Sequence, residues 1–403
     1  MIRRDYLIVG AGVGGASVCE GIREHDPKGS IMMVGNETML PYHRPLLFKH
    51  CVNGTERKGP LEKLQCLPPE WYEKNKIDLR LDTLVTQFNI DRRIAVLGSG
   101  QAVEFKKACL AMGARARRPQ VPGANLGNVL YLRSITDMLA LREMMEYERD
   151  FVIVGGGFLA VEAATILGQR PKTKLTILHR GKHLWGRMLD AETAEWFTSL
   201  FPQKHVKLAL GETLNGFEGR TVVKNVQTKS GARIAADLVI VAIGCEPNLG
   251  LVHNTPLAYP TGAPVNEMLE TDEKGIYAIG DIALYPDKVL GGVRRLEHWE
   301  AAIAQGKVAG ANITGKKRIR WERVPHCTGF ALDTHFDFVG DFSKPPTRFE
   351  LEGDRTKRKF VARYYQPNGL MGILLCNQSE ERVEAAKTQL RDAPRTKERE
   401  AKV

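Results

Sequence analysis

The chain has 403 residues, enough for two to three domains at roughly 150 residues each. A hydrophobic content of 43% excludes a disordered chain, and apolar runs well short of the roughly 18 residues of a membrane span leave no transmembrane helix expected. The 58 Lys and Arg outnumber the 47 Asp and Glu, and the net charge of +11 favours acidic partners. The opening MIRRDYLIVGAGVGG has a charged start, but its apolar stretch is about six residues and runs into a glycine motif that needs it as a strand. A signal peptide is therefore not expected. Cysteines stand at Cys19, Cys51, Cys66, Cys109, Cys245, Cys327 and Cys376, an odd number with no C-x-x-C or C-x4-C spacing. That predicts a reduced, cytoplasmic protein without a redox-active disulfide.

In chain order, YLIV (6–9) reads as a buried strand, GAGVGGASVCEGIREH opens a helix, and IMMV (31–34) is the next strand. Gly10, Gly12 and Gly15 supply the G-x-G-x-x-G pattern of a nucleotide-binding βαβ unit. The first glycine allows a tight turn, the second a close approach of backbone to a pyrophosphate, and the third close packing of helix on sheet. The helix N-terminus contributes amide donors and the positive end of its dipole. A second unit follows about 145 residues later: FVIV (151–154), GGGFLAVEAATILG, and LTIL (175–178). Here Gly155 and Gly157 fit, and Ala160 takes the third position. Two such units imply two dinucleotide sites, most economically one flavin and one nicotinamide site.

Between them lie IAVLG (94–98) and the connector KKACLAMGARARRP (106–119); beyond them, DLVIVAIGCEPN (237–248) and GIYAIGDIA (275–283) read as strands ending in glycine turns. KKRIRWER (316–323) is a basic boundary. HFDFVGDF (335–342), KFVARYY (359–365) and GLMGILLC (369–376) are strand-like, SEERVEAAKTQL (379–390) has helical spacing, and the tail from 391 is charged and expected to be disordered.

Read in order, these motifs resemble the FAD-dependent pyridine nucleotide-disulfide oxidoreductases, in the branch of ferredoxin, rubredoxin and putidaredoxin reductases, monodehydroascorbate reductase and apoptosis-inducing factor. The resemblance spans roughly residues 3–390. It rests on GAGVGG (10–15), LPYHRPLLFK (40–49), AMGARARRPQVPG (111–123), IVGGGFLAVEAA (153–164), AIGCEPN (242–248), IYAIGDIA (276–283), RRLEHWEAAIAQGKVAGANITG (294–315) and GILLCNQSEE (372–381).

The resemblance implies an α/β fold with two Rossmann-like dinucleotide-binding domains, for FAD and NAD(P), and a small α/β C-terminal domain. The expected boundaries are 1–115 and 244–318 for the FAD-binding domain, 116–243 for the NAD(P)-binding domain, 319–390 for the C-terminal domain and 391–403 for the tail. It implies FAD binding by Gly10, Gly12, Gly14, Gly15, Arg44, Lys49, Gly113 and Asp281, with Asn36 or Glu37 at the ribose. Glu297, His298 and Trp299 fall against the pyrimidine end of the flavin. Gly155, Gly157, Phe158, Leu159, Glu162 and Gly244 are implied around the nicotinamide nucleotide. Lys49 and Glu162 are the implied catalytic pair. His179 and Arg180 stand where an acid would bind the adenine ribose of NADH, so either NADH or NADPH remains open.

The chain departs from the branch at Leu46, Phe48 and Met112, and Pro325-His326-Cys327-Thr328-Gly329 lacks the aromatics of P-Y-F-W-S. Cys51 does not match the single-cysteine pattern C-G-L-P-Y, whose cysteine would fall at Thr38, and reads as a structural thiol. The expected activity passes a hydride from NAD(P)H to FAD, then electrons to a small acidic iron–sulfur protein of ferredoxin or rubredoxin type. Arg115, Arg117, Arg118, Arg294, Arg295 and the 316–323 cluster are the candidate steering cations. The alternative is a redox-sensing or structural flavoprotein resembling apoptosis-inducing factor. No metal is expected, nucleic acid is disfavoured, and homodimerisation is left open.

Overall fold

The computed structural model describes residues 1–52, 61–147, 150–170 and 173–394, with side chains at 49–52 and 204 outside the description. Of the tail expected to be disordered from 391, Arg391 and Asp392 instead belong to the last helix, and residues 395–403 lie outside the described residues. The chain divides into two compact units. One is built from Met1–Leu46, Pro60–Arg115 and Glu246–Arg323, the other from Leu47–Gly59, Ala116–Cys245 and Val324–Val403.

Among the described residues, the first unit carries a seven-stranded sheet. Strand Ile2–Val9 pairs in parallel with Ile31–Val34, which pairs with Ile77–Arg80. On its other side it pairs in parallel with Ala102–Leu110, which carries Ile276–Ala278 in parallel. Ile94–Leu97 and Val85–Asn89 extend that side antiparallel. Residues 6–9 and 31–34 are buried throughout, which is why both read as continuous apolar runs: a parallel strand is covered on both faces. Helix Val13–His25 packs on helix Trp299–Ile313 through glycine. A Cβ on Gly306 would lie 2.6 Å from the Gly14 carbonyl oxygen, and one on Gly310 2.4 Å from that of Val18. Backbone-to-backbone contact of this kind draws helix 299–313 against the first glycine loop.

The basic stretch 316–323 is fastened to this unit. Asn312 donates through Nδ2 to the carbonyls of Met268 and Ile319 and accepts the Ile319 N–H. Trp321 is buried edge-on against Tyr285, so its ring presents no face for stacking a base.

The second unit holds a parallel sheet in the order Val206–Leu210, Lys174–His179, Asp150–Val154, Leu238–Val241, Val129–Leu130. Both units therefore have the Rossmann-like build, with the glycine loop at the carboxyl end of a central parallel strand. A three-stranded antiparallel sheet over residues 214–235 accompanies the second. The C-terminal part is a five-stranded antiparallel sheet, ordered His326–Ala331, Thr334–Gly340, Gly369–Cys376, Lys359–Gln366, Arg348–Asp354. Ser379 caps helix Glu380–Asp392, which lies on two of these strands and buries Val383, Ala386 and Leu390.

This C-terminal sheet joins the parallel-sheet part of its unit through two anchors. One is polar: buried Asp190 caps helix Ala191–Ser199 and accepts the Tyr364 hydroxyl at 2.8 Å, while Arg355 donates to Thr193 Oγ1 at 3.0 Å and pairs with Glu192 at 3.0 Å. The other is aromatic. Trp185 stacks on Phe197 at 4.1 Å and meets Phe336, Phe338 and Phe158 at 5.2–5.3 Å.

Candidate cofactor-binding sites

The first glycine loop begins where the central strand ends. Gly10 has φ +118°, and a Cβ there would lie 2.2 Å from the Ala111 carbonyl oxygen, so only glycine makes this turn. Gly15 would collide with the Gly10 oxygen at 2.0 Å, and Gly14 sits over Ile279. Gly12 is different: a Cβ there meets nothing within 4 Å. The helix it caps has no side-chain cap and no acidic residue in its first turn. Open space at an uncapped, carboxylate-free helix N-terminus fits the pyrophosphate of a dinucleotide.

Around it the first unit gathers polar side chains. Both Glu37 carboxylate oxygens are engaged, one by Arg44 and the other by the Tyr42 hydroxyl at 2.6 Å, while Arg44 also donates to Tyr42 at 2.9 Å. Asn36, the other ribose candidate, is exposed. Burial pulls the Arg44 guanidinium down, but Tyr42, Glu37 and Asp281 outweigh it and hold it above its ordinary value. Asp281 lies in the short turn Gly280–Ile282. Fully buried Gln305 accepts the Gly280 N–H at 2.7 Å and so holds that turn, and its own Nε2 has no partner among the described residues. Gly113, at φ +63°, accepts the Asn248 N–H at 2.9 Å; Asn248 Nδ2 also holds the carbonyl of Met112.

Glu297, His298 and Trp299 stand at the start of helix Trp299–Ile313, with His298 at its N-cap. Glu297 is exposed and paired with Arg295, which also donates to the Asp281 carbonyl. Trp299 packs edge-on against His43 at 5.3 Å. Tyr42, His43 and Gln305 were not singled out in the sequence. Tyr42 and His43 lie inside the LPYHRPLLFK string, and Gln305 inside the 294–315 string, so position within a motif was the available signal.

In the second unit Gly155 has φ +139°, and its Cβ would lie 2.1 Å from the Ala242 carbonyl oxygen. Gly157 repeats the properties of Gly12: nothing within 4 Å of its Cβ, no side-chain cap, no acid in the first helical turn. Ala160 is fully buried in the third position. Gly244, at φ +109°, accepts the Arg117 N–H at 2.9 Å. Phe158 does not stand free at the loop. Its ring meets Trp185 and, at 4.9 Å, Phe338, and it lies where a Cβ on Gly329 would come within 3.1 Å. Leu159 is half-buried in the first turn of helix Phe158–Leu167. Glu162 is half-buried one turn further on, and burial pushes its carboxyl up to about 7. It makes no hydrogen bond or ion pair among the described residues. Lys49 lies in helix Pro45–Val52, but its side chain, and with it the expected Lys49–Glu162 pair, falls outside the described residues, as does the side chain of Cys51.

His179 ends its strand with the ring set against Gly156, and burial followed by the Arg180 charge lowers its pKa. The imidazole is therefore neutral at pH 7. Of the two basic candidates here, only exposed Arg180 brings a charge.

Trp185 is the residue that sequence reasoning missed outright. It is buried at φ +56°, its N–H donates to the Gly156 carbonyl at 3.0 Å, and its indole Nε1 has no partner among the described residues. It thus props the second glycine loop from behind. Trp185→Ala is expected to destabilise this unit by about 4 kcal/mol, read by calorimetry as an earlier first transition. Trp185→Phe should lose about half as much. Equal melting of all three would mean the cluster does not hold the loop.

The family model described as pyridine nucleotide-disulphide oxidoreductase matches residues 4–306. Rhodocoxin reductase of Rhodococcus erythropolis is 29% identical over 400 residues, covering 98% of this chain and 92% of that protein. Rubredoxin-NAD(+) reductase of Pseudomonas putida is 30% identical, covering 77% and 80%. The solved covalent complex of putidaredoxin reductase with putidaredoxin superposes with a TM-score of 0.89 at 27% identity, covering 97% of this chain and 94% of that one.

Proposed function

The chain belongs to the pyridine nucleotide-disulphide oxidoreductase family, and from that premise we propose that it is an NAD(P)H-dependent FAD oxidoreductase whose electrons leave to a small iron–sulfur protein of ferredoxin or rubredoxin type. The observation that carries this reading is the matched pair of loops. Gly12 and Gly157 each leave open space at an uncapped helix N-terminus, one in each unit. Backbone amides at Gly12–Gly15 would hold the FAD pyrophosphate, with Arg44, the Glu37 region and the Gln305-braced Asp281 turn orienting its ribose and ribitol portions. Amides at Gly157–Leu159 would hold the pyridine nucleotide. Bound there, FAD supplies hydride acceptance and the release of single electrons. Glu162 would sit at the nicotinamide side with Lys49 as its implied partner.

The cysteine spacing supports an external acceptor, since no C-x-x-C or C-x4-C pair is available in the sequence. Relatives named for rhodocoxin, rubredoxin and putidaredoxin support an iron–sulfur partner. The candidate steering cations narrow once ion pairs are drawn. Arg115 pairs with Glu246, Arg294 with buried Asp287, Arg295 with Glu297 and Arg320 with Glu267. Exposed Lys317 and Arg318 make no hydrogen bond or ion pair among the described residues and are the better candidates for an acidic protein.

The test is an anaerobic titration of purified protein with NADH and with NADPH, following the visible absorbance of the flavin. Bleaching within seconds, then rapid recolouring by a ferredoxin, supports the reading. A colourless protein even after added FAD overturns it. Bleaching over many minutes favours a sensing or structural flavoprotein.

A further inference from the structure

The loops at the amino ends of the parallel strands in the first unit are basic. Lys28 precedes strand Ile31–Val34, Lys74 and Lys76 precede Ile77–Arg80, Lys274 precedes Ile276–Ala278, and Lys316, Lys317 and Arg318 follow helix Trp299–Ile313. Contacts draw these loops into one edge. Lys316 donates to the His25 carbonyl at 2.8 Å, and Arg23 on the same helix donates to the carbonyls of Asn75 and Gly29. Lys107 donates to the Ile313 carbonyl, and Cβ atoms on Gly275 and Gly315 would each lie 3.4 Å from its side chain. A hollow of about 390 Å³ opens here, its lining including Lys28, Lys106 and Lys107. Several acids of this edge are turned inward. Asp5 accepts the Ser30 hydroxyl at 2.8 Å and pairs with Lys106 at 2.7 Å, Asp26 accepts the Tyr6 hydroxyl at 2.8 Å, and Glu270 accepts the Gly275 N–H at 2.7 Å. Lys28, Lys74, Lys76, Lys274, Lys317 and Arg318 are exposed, and none of their side-chain nitrogens makes a hydrogen bond or ion pair among the described residues. They outnumber the remaining acids Glu24, Glu73, Asp272 and half-buried Glu273.

Ile319 stands in this basic run with its backbone pinned and its side chain left outside. Buried Asn312 accepts the Ile319 N–H at 2.7 Å and donates to its carbonyl at 2.8 Å, yet the residue is 40% exposed. Pro27, beside Lys28, is exposed as well. A fixed apolar side chain among cations suits an anionic bilayer surface: the isoleucine enters the headgroup boundary while lysine and arginine meet lipid phosphates. Single-stranded nucleic acid would want a stacking ring here, and Trp321 is buried. An acidic electron acceptor would want a place beside the flavin. This edge lies past the far end of helix Trp299–Ile313, whose 15 residues put about 22 Å between it and Trp299.

We propose that the amino-end edge of the first unit is a peripheral docking surface for an anionic lipid bilayer, with Lys28, Lys317 and Arg318 on the headgroups and Ile319 at the boundary. The surface goes beyond the reductase reading and does not depend on it. The first glycine loop stands at the carboxyl ends of the same parallel strands, so attachment by this edge leaves that loop on the side away from the lipid.

The test is cosedimentation of the holoprotein with vesicles of phosphatidylcholine containing about one third phosphatidylglycerol, against phosphatidylcholine alone. Binding to the anionic vesicles should be at least about tenfold tighter at low salt and should fade as salt rises. The double variant Lys317→Glu, Arg318→Glu should lose at least about tenfold, at roughly fivefold per cation removed. Ile319→Ser should lose about threefold and keep the salt dependence, which a purely electrostatic contact would not show. These are surface changes, so melting and the response of the flavin to pyridine nucleotides should match the parent. Equal sedimentation with both kinds of vesicle, or anionic binding untouched by the charge reversal, overturns the surface. Salt-sensitive retention on an acidic ferredoxin or on duplex DNA, without vesicle binding, also overturns it and assigns these cations to that partner.

Discussion

Gly12→Val should give a folded protein that does not retain flavin, and Gly157→Val a yellow protein that pyridine nucleotides no longer bleach. Both substitutions place their new atoms in open space, because an added Cβ meets nothing within 4 Å at either position. Both backbones are extended there, near φ −98° and −92°, which valine adopts readily. The melting temperature of the flavin-free protein should therefore change little. What the side chain fills is the space a pyrophosphate needs against the amide donors, and each site should lose about 100-fold or more in affinity, roughly 3 kcal/mol. Gly10→Ala is the contrast. Its Cβ would sit 2.2 Å from the backbone oxygen of Ala111 in a left-handed conformation, so it should damage the fold and the site together. Flavin retained in stoichiometric amount by Gly12→Val would show that the first loop is not where the cofactor's phosphates lie.

The same contrast explains what the sequence could disclose. Both glycine loops were legible because strand, turn and helix are local, and the constraint on each glycine comes from backbone a few residues away or from an adjoining parallel strand. The strand-like runs at 335–342, 359–365 and 369–376 correspond to Thr334–Gly340, Lys359–Gln366 and Gly369–Cys376 for a similarly local reason: each is a short, largely buried apolar run. Two further strands of that sheet were not read. Arg348–Asp354 is an edge strand with mostly exposed residues, its charges occupied by Tyr365, Arg363 and Arg382. His326–Ala331 contains Gly329, a poor strand residue kept small where the Phe158 ring packs. Trp185 had no local signature at all. Part of its burial is supplied by Phe336 and Phe338, some 150 residues on, and its left-handed backbone is invisible in an amino-acid string. Counting charges likewise could not separate Arg294, held by Asp287 at 2.7 Å, from Arg180, held by nothing among the described residues.

Glu162→Gln should flatten the dependence of stability on pH between about 4.5 and 7. Burial pushes the Glu162 carboxyl up to about 7 from an ordinary value of 4.5, so the folded chain binds its proton more tightly than the unfolded chain does. A group raised in this way contributes stability that is fully present below the unfolded value and is lost as pH rises through the folded one. At about 1.4 kcal/mol per pH unit, the loss amounts to about 3 kcal/mol at most by pH 8, since Glu162 retains some solvent. Glutamine has the same shape and nothing to titrate. The variant should match the parent in thermal melts near pH 4.5 and exceed it above pH 7. The comparison also bears on Lys49. An ammonium reaching this carboxylate would favour the ionised form and draw the pKa back down, cancelling the slope that burial creates. A parent protein whose melting tracks that of Glu162→Gln across the whole range would therefore reject the burial-dominated state and point to the Lys49 pair. A parent that loses stability toward pH 7 while the glutamine variant does not would mean that Glu162 sits in the fold as a proton-holding acid, able to change charge in the range where the nucleotide is oxidised.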